Sequence, residues 1–247
     1  QFETSMFNAR LAASGSCFGC AVVDCAPSSS IFTTPMAADV ARFRPAAANL
    51  SSAVQCWGCV TSGARGTTGT DVRLRLGLPH VPIKGVAAGA LHACALFESG
   101  QVKCWGANAR GQLGLGHTNA VGTPSNPLPQ DGSLAHVDLG AASPALSLSA
   151  GREFTCAIVA RRDLATRHFV TLVMCWGAND AGQLGQGHDS DRGTSPAHMG
   201  SALAPTDLGA REVARLGRIP LLAESVSLGA RHACVVVDSG SVKCWGA

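Results

Sequence analysis

The tripeptide Cys-Trp-Gly occurs four times, at Cys56, Cys104, Cys175 and Cys244, and it contains every tryptophan of the chain. A motif that recurs at this rate marks an internal repeat, and a repeat restricts the fold more than local propensity does. The copy Val86–Gly106 is followed almost residue for residue by Val226–Gly246, with Gly-x-x-His-x-Cys before the hairpin and Val-Lys-Cys-Trp-Gly after it. A third copy runs from Leu148 to Val159 and resumes at Met174 after an excursion; a worn first copy runs from Gly15 to Asp24 and resumes at Val54 after a long insertion. Past the middle two tryptophans the match continues, Gly106–His117 lying over Gly177–His188.

One unit can be read physically. Apolar residues flank Glu98-Ser99-Gly100 at strand spacing, and Gly100 suits the left-handed position of a three-residue hairpin loop. Counting outwards, Leu96 faces Val102, Ala95 faces Lys103 and Cys94 faces Cys104. The cysteines fall at a non-hydrogen-bonded position, where Cα atoms approach to about 4.5 Å, which suits a disulfide. The loop Asp238-Ser239-Gly240 sets Cys234 opposite Cys244 by the same count. Repeat alignment extends the pairing to Cys156–Cys175 and, across the insertion, to Cys20–Cys56. Short strands, Trp-Gly turns and no extended helical periodicity point to an all-β toroidal array, a β-propeller.

Gly-x-x-His-x-Cys-Ala-Leu, Val-Lys-Cys-Trp-Gly and Gly-Ala-Asn-x-x-Gly-Gln-Leu-Gly-x-Gly resemble repeats of the regulator of chromosome condensation family, whose propeller is shared with β-lactamase-inhibitor protein II and crinkly-type receptor ectodomains. The resemblance implies about seven blades, of which four are present here. Paired cysteines resemble the secreted or receptor-ectodomain branch. The repeats divide as 1–79, degenerate, with an insertion near 26–53; 80–129; 130–199, with a lengthened hairpin at Ala160–Leu172; and 200–247. Ala247 aligns with Ala107 and Ala178, so the last unit reads as incomplete and the chain as a fragment of a longer propeller.

Three cysteines, Cys17, Cys25 and Cys59, fall outside this framework. Cys17–Cys59 is read as an extra bridge with Cys25 free. Zinc is the alternative, because Cys17-x-x-Cys20 and Cys56-x-x-Cys59 have ligand spacing, although the 35 residues between them exceed the common separation. Cys56-Trp-Gly-Cys59 sits in strand and turn surroundings, which do not lower a thiol pKa as a helix N-terminus does. His92, His117, His188 and His232 recur at equivalent repeat positions and so lie on successive blades; Phe18 and Phe154 fill the His92 slot, against a ligand role. The four tryptophans read as blade packing.

Catalysis finds no footing. There is no Gly-x-Ser-x-Gly elbow, no His-Glu-x-x-His helix and no positioned carboxylate pair, so no enzyme activity, catalytic residue, metal or cofactor is expected. A net charge of +3 and 5% aromatic residues argue against nucleic acid, and no apolar run approaches the roughly 20 residues of a membrane helix. The expected function is a non-catalytic, disulfide-stapled protein-binding module, extracellular or in the secretory pathway. Its partner-binding loops are expected at Ala26–Ala53 and Ala160–Leu172, the latter carrying Arg161, Arg162 and Arg167. The alternatives are a guanine-nucleotide exchange factor for a small GTPase, as resemblance to the founding member implies, and the sensing domain of a larger receptor kinase or other enzyme.

Overall fold

The computed structural model describes residues 9–14, 18–25, 51–58, 82–123, 125–129, 133–163, 169–213 and 217–247, and only the backbone of the first three segments and of residues 212, 213, 217 and 218. Four three-stranded antiparallel sheets follow one another along the chain, each a meander in sequence order. They are β1 (Ala9–Ser14), β2 (Phe18–Cys25) and β3 (Ser51–Gly58); β4 (Ile83–Ala88), β5 (His92–Phe97) and β6 (Val102–Gly106); β7 (Ala145–Ala150), β8 (Phe154–Arg162) and β9 (Phe169–Gly177); and β12 (Ala223–Leu228), β13 (His232–Val237) and β14 (Val242–Gly246). A small hairpin, β10 (Ala210–Val213) and β11 (Gly217–Pro220), precedes the last sheet. The described helical residues form two single 3-10 turns, Pro196–His198 and Gly200–Ala202, and no helix of the described residues is long and apolar enough to cross a membrane.

Loop chemistry sets the register. Gly100, at φ +80°, donates its N–H to Phe97 O at 2.8 Å, and Phe97 N–H bonds Gln101 O at 2.9 Å. From that closure the ladder runs Leu96 with Val102, Ala95 with Lys103 and Cys94 with Cys104. The Cys94–Cys104, Cys156–Cys175 and Cys234–Cys244 disulfides join opposed residues whose Cα atoms are 4.1 Å apart. In the first sheet Cys20 stands opposite Cys56 in the backbone register. Their side chains, that of Cys25, and Cys17 and Cys59 altogether lie outside the described residues, as do 26–50 and Arg167.

Every three-stranded sheet carries an irregularity at the same place in its first strand, between Ala9 and Leu11, Ile83 and Gly85, Ala145 and Ser147, and Ala223 and Ser225. A bulge bends the strand and sharpens its twist, here once per repeat. The second and third sheets also gain a rudimentary fourth strand. Residues 134–139 bridge β6 through Lys103 and His136, and 203–208 bridge β9 through Met174 and Pro205. These segments follow the sequence boundaries at 129/130 and 199/200, yet they lie against the preceding sheet.

Neighbouring blades are locked by main-chain acceptors in the Gly-Gln-Leu-Gly loops. Trp176 Nε1 donates to Gln112 O at 3.0 Å and Trp245 Nε1 to Gln183 O at 2.9 Å, so each tryptophan is held by the loop of the repeat before it. Trp105 and Trp176 are buried in the core with Phe97, Leu113 and Met174. The Gly of Gly-x-x-His packs under the ring three residues on: a Cβ on Gly89 or Gly229 would collide with the His92 or His232 ring, and one on Gly151 with Phe154.

Candidate partner-binding surface

The described tips of β5–β6 and β13–β14, at residues 98–100 and 238–240, stand at the end of their hairpins opposite the Trp-Gly turns. Beside the tip of β5–β6, a cleft of about 500 Å³ opens between Ser99, Gln101, His136, Asp138, Ala142 and Pro144. Its floor is fixed by backbone: Ala145 N–H bonds Gly100 O at 2.9 Å, and Asp138 Oδ1 accepts the Gly140 N–H at 2.9 Å. Ala142, at φ +51°, is the described non-glycine residue in the left-handed region, a local strain that its neighbours must hold in place.

The third hairpin projects past this cleft. The sequence reads Ala160–Leu172 as a lengthened loop, but most of it continues the ladder: Val159 pairs with Leu172, Ala160 with Thr171, Arg161 with Val170 and Arg162 with Phe169. A regular extension costs less than a free loop because its backbone groups pair with one another. Phe169, at 73% exposure, puts an aromatic ring at the end of the ladder. The arginines divide. Arg161 is half-buried and turns back to the cleft wall, its Nε donating to Ser143 Oγ at 3.1 Å. Arg162 is exposed and, one residue along the strand, falls on the opposite face.

The opposite end of the blades is tied by charge. Arg110 of the second repeat binds Asp191 of the third in a two-pronged pair, Nη2 to Oδ1 at 2.8 Å, and lies 3.7 Å from Asp180. Arg231 of the fourth repeat reaches Asp180 at 2.7 Å. The bond to Asp191 raises the Arg110 pKa, and the Gln183 side chain, followed by Arg231 and Arg110, lowers that of Asp180.

His92, His117 and His188 serve packing, whereas His232 is exposed over Gly229. His92 is buried, with Nε2 2.9 Å from Thr155 Oγ1 of the next blade, and burial pushes its pKa down to about 4. Thr155 in turn donates to Gln112 O at 3.0 Å, the carbonyl that also holds Trp176. His117 and His188 accept from backbone N–H groups of Asn119 and Ser190 at 3.2 Å. Sequence reasoning passes over their partners, Asn108 and Asn179. Asn108 Nδ2 donates to His117 O and Asn119 O while its Oδ1 accepts Leu113 N–H; Asn179 repeats all three bonds with His188, Ser190 and Leu184. The signal was in the repeated Trp-Gly-Ala-Asn. Among the described residues no three of His, Cys, Asp and Glu converge as metal ligands would.

Sheets stacked in sequence order, joined blade to blade by tryptophan and glycine-loop contacts, define an all-β propeller. Residues 83–112 and 223–247, and residues 99–158, match the Regulator of chromosome condensation (RCC1) repeat. The chain is 33% identical over 169 residues to the human probable E3 ubiquitin-protein ligase HERC3, covering 66% of this chain and 12% of that protein. It is 30% identical over 185 residues to human protein RCC2, covering 70% of this chain and 31% of the relative. The solved structure of human WBSCR16 superposes with a TM-score of 0.61 at 17% identity, over all of this chain and 49% of that one. Yeast RCC1 (Prp20), solved bound to Kap60, gives 0.56 at 17% identity, over 100% of this chain and 45% of that one. The chain therefore spans less than a third of these two curated relatives and about half of each solved propeller. It belongs to the regulator of chromosome condensation repeat family.

Proposed function

We propose that this chain is a non-catalytic protein-binding module that works in an oxidising, extracellular or secretory compartment and engages its partner through the hairpin-tip end. The observation that carries this reading is the cleft beside Ser99–Pro144 lying next to the extended β8–β9 hairpin and its exposed Phe169. An aromatic anchor beside a concave, partly polar surface on a rigid scaffold is a common plan of protein interfaces. The three disulfides support the compartment, since such bonds persist mainly outside the reducing cytosol. Yeast RCC1, whose fold this chain shares, was solved bound to another protein, Kap60, which is in keeping with this reading.

Replacing residues 160–171 by the Glu-Ser-Gly loop of the second repeat removes the extension and leaves the Cys156–Cys175 ladder closed. Partner capture from extracellular medium is expected to vanish with the thermal transition unchanged; the same captured proteins with both forms would refute the site. Alkylation of native material without reduction tests the compartment separately, and free thiols at all six of these cysteines would refute it. A second reading, a sensing or selecting domain within a larger enzyme, is favoured by the 12% of HERC3 that the chain spans. The exchange-factor reading is tested by nucleotide release from small GTPases on addition of the chain.

A further inference from the structure

One wall of the hairpin-tip cleft is a turn whose backbone conformation an L-residue resists. Leu139, Gly140, Ala142 and Ser143 line the cleft, and across them the chain turns from the edge of the second blade towards β7. Gly140, at φ +91°, takes a left-handed conformation freely, but Ala142, at φ +51°, does not. A glycine at 142 would remove that strain, so the surroundings must hold the alanine in place.

The holder is Arg161. Its guanidinium spans the turn, Nε donating to Ser143 Oγ at 3.1 Å on the exit side and Nη2 to Leu139 O at 3.5 Å on the entry side. Ser143 Oγ donates in turn to Ala141 O at 3.2 Å, inside the turn. Ser143 is buried, and Gly140 leaves room for the guanidinium, Nη2 lying 3.4 Å from where a Cβ would stand. Ala160 N–H bonds Pro144 O at 3.0 Å, which sets the strand carrying Arg161 beside the turn. Arg161 itself does not line the cleft.

Clamp and turn occur together. Counting from the blade cysteines, the slot of Arg161 holds Ser99 in the second repeat and Ser239 in the fourth, where the shorter hairpins are already turning. The link after Leu208-Gly209, the counterpart of Leu139-Gly140, is the β10–β11 hairpin and not a short turn. We propose that Arg161 is a positioning residue of the cleft: it pins the turn in the strained shape that the partner meets, and acts on the partner through that turn without touching it. The arginine that the sequence assigns to direct partner contact thus works from behind the wall. This proposal rests on the reading of the cleft as the partner surface.

The test is hydrogen exchange, read by mass spectrometry on residues 139–144, in the parent, Arg161→Met, Ala142→Gly and the double variant. Methionine keeps an unbranched stem and removes the donors. Arg161→Met should speed exchange in the turn by about tenfold, the scale of the strain it releases, and leave the 155–159 ladder and the melting curve unchanged. In the Ala142→Gly background, where no strain is held, the same substitution should change exchange by less than about threefold. Capture of partners from extracellular medium is expected to fall with Arg161→Met and to return in the double variant. Equal acceleration in both backgrounds, or none in either, overturns the proposal and leaves the reading of the cleft standing. Capture that stays lost in the double variant also overturns it, because Arg161 would then meet the partner itself. Capture unaffected by a loosened turn overturns the cleft as the partner surface, and the proposal with it.

Discussion

His92 offers the sharpest test of how the blades hold together. Its ring is buried between two repeats, one nitrogen 2.9 Å from Thr155 Oγ1 and the other, Nδ1, with no partner. Burial lowers its pKa from 6.5 to about 4, so it stays neutral in the fold over a range where an unfolded chain is protonated. A depressed folded pKa means that the unfolded state binds the extra proton. The contribution is therefore complete above pH 6.5, falls as pH drops, and is exhausted near pH 4. Between neutral pH and about pH 4.5, linkage gives a loss of about 2.5 kcal/mol from this group. For a chain of this size that is about 5–10 °C in melting temperature.

The perturbation is His92→Phe, the residue that the third repeat already carries in this slot as Phe154. Thr155 keeps its bond to Gln112 O in the variant, so no hydroxyl is stranded. At neutral pH the loss of one hydrogen bond and the removal of an unpartnered nitrogen should leave stability within about 1 kcal/mol of the parent. The assay is urea unfolding of both proteins at about pH 7.5 and about pH 4.5, read as the difference between them, which cancels every carboxylate they share. The parent should fall behind the variant by about 2–3 kcal/mol in going to the lower pH. A difference under about 0.5 kcal/mol would mean that His92 is hydrated or paired, and the buried-slot account would fail.

Other predictions concern the same joints. Asn179→Ala strands the buried Leu184 N–H and removes the donors to the half-buried His188 and exposed Ser190 carbonyls, and should cost about 2 kcal/mol in urea unfolding. Gly111→Ala and Gly182→Ala compare equivalent positions at φ +77° and +69°. A Cβ on Gly111 meets backbone of Arg192 and Gly193, while one on Gly182 meets nothing, so by melting Gly111→Ala should be the worse by about 2 kcal/mol. Stepwise reduction read by alkylation and mass should open Cys234–Cys244 first, because Cys244 is exposed while Cys94, Cys104, Cys156 and Cys175 are buried.

The parts legible in sequence are those where one residue type has one job. Cys94 and Cys104 could be set opposite each other because a three-residue loop and a period of two leave a single register. The Trp-Gly turns marked the repeats for the same reason. The parts that were not legible depend on partners distant in sequence. Thr155 acquires its meaning only beside His92, 63 residues away, and its position is filled by alanine in the second and fourth repeats, as Ala93 and Ala233, and by Gly19 in the first. The edge segments at 134–139 and 203–208 hold no cysteine or tryptophan to mark them as repeat elements. In the third hairpin, residues 160–172 carry too little alternation to separate a ladder from a loop.

The interfaces between blades are variations on one joint, and the variations have a physical logic. The Gly-Gln-Leu-Gly loop supplies a main-chain carbonyl to the next tryptophan at both described junctions, so that bond depends on backbone geometry and survives substitution of most side chains around it. The ring slot, by contrast, changes in matched pairs: His92 faces a hydroxyl on the next blade, whereas Phe154 is followed by a blade with Ala233 at that place. A histidine opposite alanine would leave both ring nitrogens without partners, at about 1–3 kcal/mol for each buried polar group. Arg110, Asp180 and Arg231 then add register between successive repeats at one end, in pairs that salt screens. Cross-blade contacts are therefore concentrated at the blade joints and the Trp-Gly end. The opposite end is where a cleft, a projecting ladder and an exposed ring can vary without disturbing the ring of blades, which is the arrangement a binding module requires.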